Sequence, residues 1–404
     1  MVDNATADVA NNRSHSVVVG LSGNYFPCAC QCVCPHSRGW TSPPVTVIVI
    51  RHTVYEYFSL SIYRCLKNTI YISIDMSKTV IVTGGCGFIG HHVVEHIYNN
   101  TDWDIIILDK LSYASKGLDR LRDTGTLNNS RVKLFTCDLI LPLPDGVLSE
   151  IGSSVNYIIH MAAETHVDNS IKNPKEFLIN NIGSTFNMLE WARTLPDLDT
   201  FFYFSTDEVF GPALGDKLFK EWDTHRPTNP YSASKSAAEQ MCIAYENTYK
   251  VPLMIVNVMN AFGERQHVEK FIPLCIDKIL KSEKIFIHSY PDKKTSGTRF
   301  YIHARNIAAA VLFLINKGKL GEKYNISGEK EVSNLDMAQM IAKAMGKTLD
   351  YEMVDFHSDR PGHDLRYGLD GTKLFDMGFK LPVDFEKSIE KTVKWTLENK
   401  KWLC

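Results

Sequence analysis

From residue 79 onward the apolar positions follow two alternating rhythms. Short apolar runs bounded by turn residues stand at 79–83, 104–109, 132–136, 155–160, 200–205 and 252–258. Between several of them the period lengthens to that of a helix, at 90–98, 175–193 and 230–249. Strand, helix and strand in succession predict an α/β fold, a Rossmann-like doubly wound parallel sheet. The last third carries fewer strand runs and more turn signals, which predicts a smaller C-terminal substrate-binding lobe. The expected division is a sheet domain over 76–260 and a lobe mainly over 261–404, with some segments returning to the sheet domain.

Residues 1–75 follow neither rhythm. Gly, Asn, Ser and Pro alternate there with isolated apolar runs, so a disordered or non-native leader is expected. Met76-Ser77-Lys78-Thr79-Val80-Ile81-Val82-Thr83 reads as a natural start of the sheet domain. The leader holds Cys28, Cys30, Cys32 and Cys34 in C-x-C spacing, unlike the C-x2-C of a zinc clip. Neighbouring thiols of an extended chain also point to opposite sides, so no metal site is expected.

Composition narrows the class. Of 404 residues 44% are hydrophobic, enough for a sizeable core, and the formal net charge of -2 gives no basic excess for a nucleic-acid partner. No uncharged apolar run reaches the roughly 18 residues of a membrane span. Ten cysteines, five of them scattered after Met76, suit a reduced, cytoplasmic protein.

The first strand run leads into Thr83-Gly84-Gly85-Cys86-Gly87-Phe88-Ile89-Gly90. Glycines at 84, 87 and 90 let the backbone turn tightly and approach a pyrophosphate. The helix that follows, with Val93, Val94 and Ile97 on one face, presents free N–H groups and a positive dipole end to that anion. Glycine also serves any tight turn, so the strand before and the helix after carry the inference. Asp109 closes the second strand run about 20 residues beyond Gly90, where an acid binds a ribose 2′-OH and repels a 2′-phosphate. NAD is therefore favoured over NADP. Asp138 is a plausible adenine contact or a plain loop residue.

Tyr231-Ser232-Ala233-Ser234-Lys235 puts a phenol and an ammonium at i and i+4 on one helix face. The ammonium is expected to lower the tyrosine pKa toward that of a working base. Asn229-Pro230 sets the helix start. Ser205-Thr206-Asp207-Glu208 stands at the carboxyl end of the run at 200–205, where open α/β sheets bind ligands. Differing environments would split the two carboxyl pKa values, leaving one acid and one base. The plainer alternatives are a surface Tyr–Lys pair and an acidic helix start.

Taken with TGGCGFIG at 83–90, these motifs resemble the extended short-chain dehydrogenases, and among them the dTDP-glucose 4,6-dehydratases. DKLSYAS at 109–115, AAETHVDNSI at 162–171, STDEVFG at 205–211 and PTNPYSASK at 227–235 carry the likeness. It continues through EKFIP at 269–273, NISG at 325–328, DRPGHDLRY at 359–367 and KTVKWTLENKKW at 391–402. The resemblance implies loss of water from a nucleotide-linked glucose by internal hydride transfer from C4 to C6 through bound NAD. Tyr231, with Lys235, would take the 4-OH proton and Thr206 would hydrogen-bond the C4 oxygen. Glu208 would take the C5 proton and Asp207 would protonate the departing C6 hydroxyl. The product would be a 4-keto-6-deoxy sugar of the kind that feeds rhamnose-type biosynthesis. Phe88, Ile89, Lys110, Leu111, Ser112, Leu139, Ala162 and Ala163 match cofactor contacts. Thr165, Asn260, Lys270, Phe271, Arg299, Asn334, Arg360 and His363 match positions lining the nucleotide-sugar site, where the arginines would fork onto diphosphate oxygens. A homodimer built on the helices at 175–193 and 230–249 is implied as well.

The chain departs from the family pattern at three places. Ala261 stands where Asn is usual, Asn306 where an acid is usual, and Ser289-Tyr290-Pro291-Asp292-Lys293 replaces a glycine-rich turn beside the base pocket. That last change leaves thymine and uracil unseparated, so dTDP-glucose and UDP-glucose both stand. Rival readings are a nucleotide-sugar 4-epimerase or decarboxylase, which needs no Asp–Glu pair, and a non-catalytic NAD-binding sensor.

Overall fold

The computed structural model describes residues 77–355 and 365–403; before Ser77 it describes only the strand segments 16–17, 30–31, 46–48, 60–62 and 69–74. The chain divides into two units, Met1–Met76 and Ser77–Cys404. In the first, Thr46–Ile48 pairs in parallel with Thr69–Tyr71, and Leu60–Ile62 pairs antiparallel with Ile72–Ile74. The run Thr-Ile-Tyr-Ile-Ser-Ile, rich in β-branched and aromatic residues, has high strand propensity. The remainder of the expected leader, its cysteine run included, lies outside the described residues apart from Cys30–Gln31, which pairs with Ser16–Val17.

The second unit is built on a seven-stranded parallel sheet. In chain order its elements are β1 (Thr79–Thr83), α1 (Phe88–Asn100), β2 (Asp104–Asp109), β3 (Val132–Thr136), β4 (Tyr157–His160), α2 (Pro174–Ala192), β5 (Thr200–Thr206), α3 (Pro230–Tyr249), β6 (Leu253–Val258), α4 (Phe271–Lys281), β7 (Ile285–Ser289), α5 (Ala304–Lys317), β8 (Lys323–Ile326), α6 (Asn334–Ala344), β9 (Tyr351–Asp355) and α7 (Phe385–Glu398). The strand order is β8-β6-β5-β4-β1-β2-β3, every pair parallel. The chain lays strands outward in one direction from β1 and in the other from β4, and this switch makes the carboxyl ends of β1 and β4 the natural ligand crevice. One face of the sheet packs Val80, Val82, Phe202, Val256 and Ile326 against α1 and α5; the other packs Ile81, Ile158, Phe201 and Ile255 against α2 and α3.

The short strand β8 brings a late segment back to the sheet, next to β6. The lobe has its own core, in which Ile272, Ile276, Met337, Ile341 and Ile389 meet between α4, α6 and α7. Parallel strands β7 and β9 flank it. Helix α3 starts as its sequence requires: Pro230 occupies the first turn and Asn229 and Ser232 form a reciprocal capping box.

Candidate active site

The glycine run forms a cradle made of backbone. Gly84 adopts φ +69°, a left-handed conformation that favours glycine. Gly87 N donates to Gly84 O at 3.0 Å, and a Cβ on Gly90 would lie 2.1 Å from Gly84 O. That approach seats the first turn of α1 on the loop and leaves its N–H groups, which no helix satisfies internally, for an anion. Thr83 Oγ1 accepts from Met161 N and Ala162 N, each at 3.0 Å, and contacts His160 Nδ1 at 2.9 Å, so the Ala162–Ala163 turn is tied to the cradle. His160, held neutral by burial, was not singled out in the sequence; a lone histidine ending the run Tyr-Ile-Ile-His was the available signal.

Asp109 is buried at the end of β2. Its Oδ2 accepts from Cys86 N at 2.9 Å and its Oδ1 from Leu111 N at 2.8 Å, with Leu111 at φ 56°. Burial raises its carboxyl, while these N–H groups act against the rise. A carboxylate accepts about four hydrogen bonds, so capacity for a ribose hydroxyl remains. Ser112 follows; Lys110 pairs with Glu164 at 2.9 Å, which ties the two loops to each other. Asp138 is exposed and caps Ile140 N at 3.2 Å, whereas Leu139 is core. Arg120, which sequence reasoning missed, is fully buried behind the cradle and donates to Cys86 O at 3.2 Å.

The second cluster is made of side chains. Thr206 ends β5 and donates to Asp207 Oδ1 at 2.9 Å. Asp207 is 4% exposed; burial, then the adjacent Glu208 charge, push its carboxyl up to about 7. Its Oδ2 has no hydrogen-bond partner among the described residues. Glu208 is half-buried, and its Oε2 accepts from Asn229 Nδ2 at 3.1 Å and Tyr367 Oη at 3.3 Å. Neighbouring carboxyls thus sit in unlike surroundings, one dry and protonated near neutrality, the other half-buried and accepting from two side-chain donors. Neither Asn229 nor Tyr367 was assigned this part from sequence, although both lie within quoted motifs.

Tyr231 and Lys235 are both buried on α3. The expected lowering of the tyrosine pKa is not what the structure shows. Burial and the Glu208 charge push the phenol far above its usual range, with the Thr206 hydroxyl opposing them. The Lys235 ammonium lies 4.4 Å from the Tyr203 ring centre, and among the described residues no hydrogen bond joins it to Tyr231. Burial lowers Lys235 itself to about 8.

On the lobe side, Arg299 lies over the Tyr367 ring at 4.6 Å and donates to Leu365 O at 2.6 Å; its charge reaches Asp207. Asn260 Oδ1 is buried without a hydrogen-bond partner among the described residues. Asn334 accepts from Tyr301 Oη at 2.7 Å, Lys270 precedes the first turn of α4, Phe271 packs on the lobe core, and Thr165 is exposed. Arg360 and His363 lie outside the described residues. Asn306, in place of the usual acid, is buried and donates to Val383 O at 2.9 Å.

Fold and site together define a dinucleotide-binding α/β enzyme of the extended short-chain type. A family model described as GDP-mannose 4,6 dehydratase matches residues 81–392. A dTDP-glucose 4,6-dehydratase of Neisseria gonorrhoeae is 36% identical over 344 residues, 80% of this chain and 96% of that protein. One from Escherichia coli is 34% identical over 80% of this chain and 94% of its own length. DesIV, a dTDP-glucose 4,6-dehydratase of Streptomyces venezuelae solved with NAD and TYD bound, superposes with a TM-score of 0.71 at 29% identity, covering 80% of this chain and 98% of that one. A UDP-N-acetylglucosamine 4-epimerase of Methanobrevibacter ruminantium reaches 0.70 at 25% identity, covering 80% and 99%. The chain belongs to the family of nucleotide-sugar 4,6-dehydratases that includes the dTDP-glucose enzymes.

Proposed function

We propose that this protein is an NAD-dependent hydro-lyase that removes water from dTDP-glucose or UDP-glucose to give the 4-keto-6-deoxy-glucose nucleotide. The observation that carries this is the split carboxyl pair, Asp207 raised to about 7 beside a Glu208 held by Asn229 and Tyr367. The cradle of Gly84, Gly87 and Gly90 suits a diphosphate, and Asp109 with Leu111 and Ser112 would take the ribose. When bound, NAD supplies a reversible two-electron acceptor at the sugar.

Tyr231 can take the proton of the sugar 4-hydroxyl only after its own phenol has ionised, which the Lys235 ammonium and the positive nicotinamide of bound NAD would favour, while Thr206 orients the same oxygen. Oxidation at C4 acidifies the C5 proton, which Glu208 removes. The electron pair left at C5 expels the C6 hydroxyl as Asp207 donates its proton, and water leaves. The double bond formed between C5 and C6 is saturated by the proton that Glu208 returns to C5 and the hydride that bound NAD would give back at C6. A 4-epimerase exchanges configuration at one carbon and needs neither carboxyl; the epimerase-like fold is the only support for that reading. Arg299, Lys270 and Asn260 are assigned to the nucleotide-sugar side, with Arg360 and His363 proposed there from sequence. Mass spectrometry of product after parallel incubation with dTDP-glucose and UDP-glucose decides the matter. Loss of one water supports the proposal, and an isomer of unchanged mass rejects it.

We further infer a homodimer formed through α2 and α3. Leu178, Ile179 and Phe186 of α2 are exposed at 43%, 48% and 44%, an apolar stripe that an equivalent helix would cover. Light scattering giving a monomer mass at micromolar concentration rejects it. Free Cys86, Cys137, Cys242 and Cys275 support a cytoplasmic location, which cell fractionation tests. Residues 1–75 are proposed as dispensable: a chain starting at Met76 should match the full chain in melting temperature and turnover, and a large loss of either overturns that. Among the described residues no helix is long and apolar enough to cross a membrane.

A further inference from the structure

Helix α3 carries another ionisable residue on the face of Tyr231 and Lys235. Glu239 follows Lys235 at i+4 and is fully buried, yet no step above uses it. A carboxylate in such a place needs partners. Lys323 Nζ lies 2.5 Å from its Oε1 and His225 Nε2 3.4 Å from the same oxygen, while Asn257 Nδ2 donates to Oε2 at 3.3 Å. Burial alone would raise the Glu239 carboxyl, but His225 and Lys323 draw it down to about 2. Glu239 is therefore an anion inside the core.

Its partners lead to the acid turn. Asn257 Nδ2, from β6, also donates to Thr206 O at 3.2 Å. Lys323, from β8, is 2% exposed and lies 5.2 Å from the ring centres of both Phe210 and Trp222. Phe210 closes the short 3-10 turn that begins at Asp207, and it stacks on Phe219 at 5.3 Å.

The charges around Lys235 give Glu239 a second part. The groups acting on Lys235 or lying against it are His160 from β4, Tyr203 from β5, and Tyr231, Glu239 and Cys242 from α3 itself. Burial holds His160 neutral and pushes the Tyr203 and Cys242 protons well above their usual range. Tyr231 is likewise protonated. Glu239 is the negative charge of this set at neutral pH.

We propose that Glu239 is a positioning residue of the active site: its carboxylate lies one helical turn from Lys235 on the same buried face of α3 and, through Asn257 and Lys323, fixes the Tyr231–Lys235 face against the Thr206–Glu208 turn. The proposal rests on Tyr231 and Lys235 being the proton-accepting pair. An ion pair that served stability alone could be replaced by apolar groups of similar volume. One that sets the charge of Lys235 could not.

The test follows the protonation of Lys235 by nuclear magnetic resonance of the full chain, as purified, with isotopically labelled lysine. Lys235→Met assigns the signal. Glu239→Gln should lower the Lys235 midpoint by about one pH unit or more, since an opposing charge within reach shifts such a group by roughly that amount. Lys323→Met should raise it, because the cation that competes for Glu239 is gone, and Glu239→Asp should leave it near the wild-type value. Midpoints unchanged in both Glu239→Gln and Lys323→Met overturn the proposal. Opposite shifts in the two variants are something a purely structural pair would not produce, and Lys323→Met decides alone if Glu239→Gln fails to fold. Turnover adds a second reading: the alkaline limb of kcat should move to lower pH in Glu239→Gln with KM nearly constant. If wild-type protein removes no water from either nucleotide sugar, the functional reading fails, while the Lys235 midpoints still decide the part of Glu239.

Discussion

The glycine cradle and the acid–base pocket both stand at carboxyl ends of strands in one sheet, yet they are made of different material. The cradle is contiguous backbone: Gly84 bends, Gly87 bonds back to it, and Gly90 allows an approach that a single methyl would block at 2.1 Å. The pocket is side chains from distant segments, Thr206 to Glu208, Asn229 to Lys235, Arg299 and Tyr367, and its working quantity is where protons sit. The cradle should therefore fail by collision, and the pocket by misplaced charge with the fold intact.

The largest expected effects are in the pocket. Tyr231→Phe and Glu208→Gln should each lower product formation roughly 10²–10⁴-fold, the usual cost of a positioned proton acceptor. They should fail differently. Glu208→Gln should still oxidise C4, so the near-ultraviolet absorbance of reduced nicotinamide accumulates while deuterium no longer enters C5 from heavy water. Tyr231→Phe should show no such absorbance and no deuterium entry at C5. Wash-in at the wild-type rate in Glu208→Gln would withdraw the assignment of the 207–208 pair.

Next comes the cradle. Gly90→Ala should cost about 1–3 kcal/mol of stability through overpacking and abolish co-purification of NAD. Calorimetry and the absorbance of the purified protein read the two effects, and retention of NAD at the wild-type level would show that the close approach is unnecessary.

Asp207 sharpens the contrast through pH. Its folded-state pKa of about 7 lies above the ordinary carboxyl value, so its contribution to stability is full below that ordinary value and is lost as pH rises through about 7. Asp207→Asn, neutral throughout, should gain on wild type by roughly 1–2 kcal/mol between pH 6 and pH 8. A melting-temperature difference that stays flat with pH would mean Asp207 is ionised in the folded protein.

The smallest effect belongs to Asp109. Replacement by Ala should reduce the preference for NAD over NADP about tenfold, near 1.4 kcal/mol, the order of one lost hydrogen bond with a charged group. Equal binding of both dinucleotides by wild type would remove Asp109 from the ribose.

Much of this is legible in the sequence. Strands β1 to β6 fall on the apolar runs, and α1 to α3 on the helical periods, because burial of a parallel sheet and its covering helices writes itself into local hydrophobicity. Asn229-Pro230 marked the start of α3 because capping is a contact within four residues. Less was legible where partners are remote. β8 is four residues long and holds Lys323, whose burial depends on Glu239 from another element. Nor did the Tyr231–Lys235 spacing reveal the ammonium over the Tyr203 ring or the raised phenol, since both follow from how deeply β5 and α3 pack.

By itself, then, the sequence determined the α/β class, the cradle and the chemical types at the strand end, all properties of neighbours along the chain. Tertiary structure alone decided how differently the two adjacent carboxyls are surrounded. Asp207 turns into the dry interior, whereas Glu208 meets Asn229 and Tyr367, the latter 159 residues away in the chain. Proton affinity depends on the dielectric and the charges within a few ångströms, and only the folded chain brings those together.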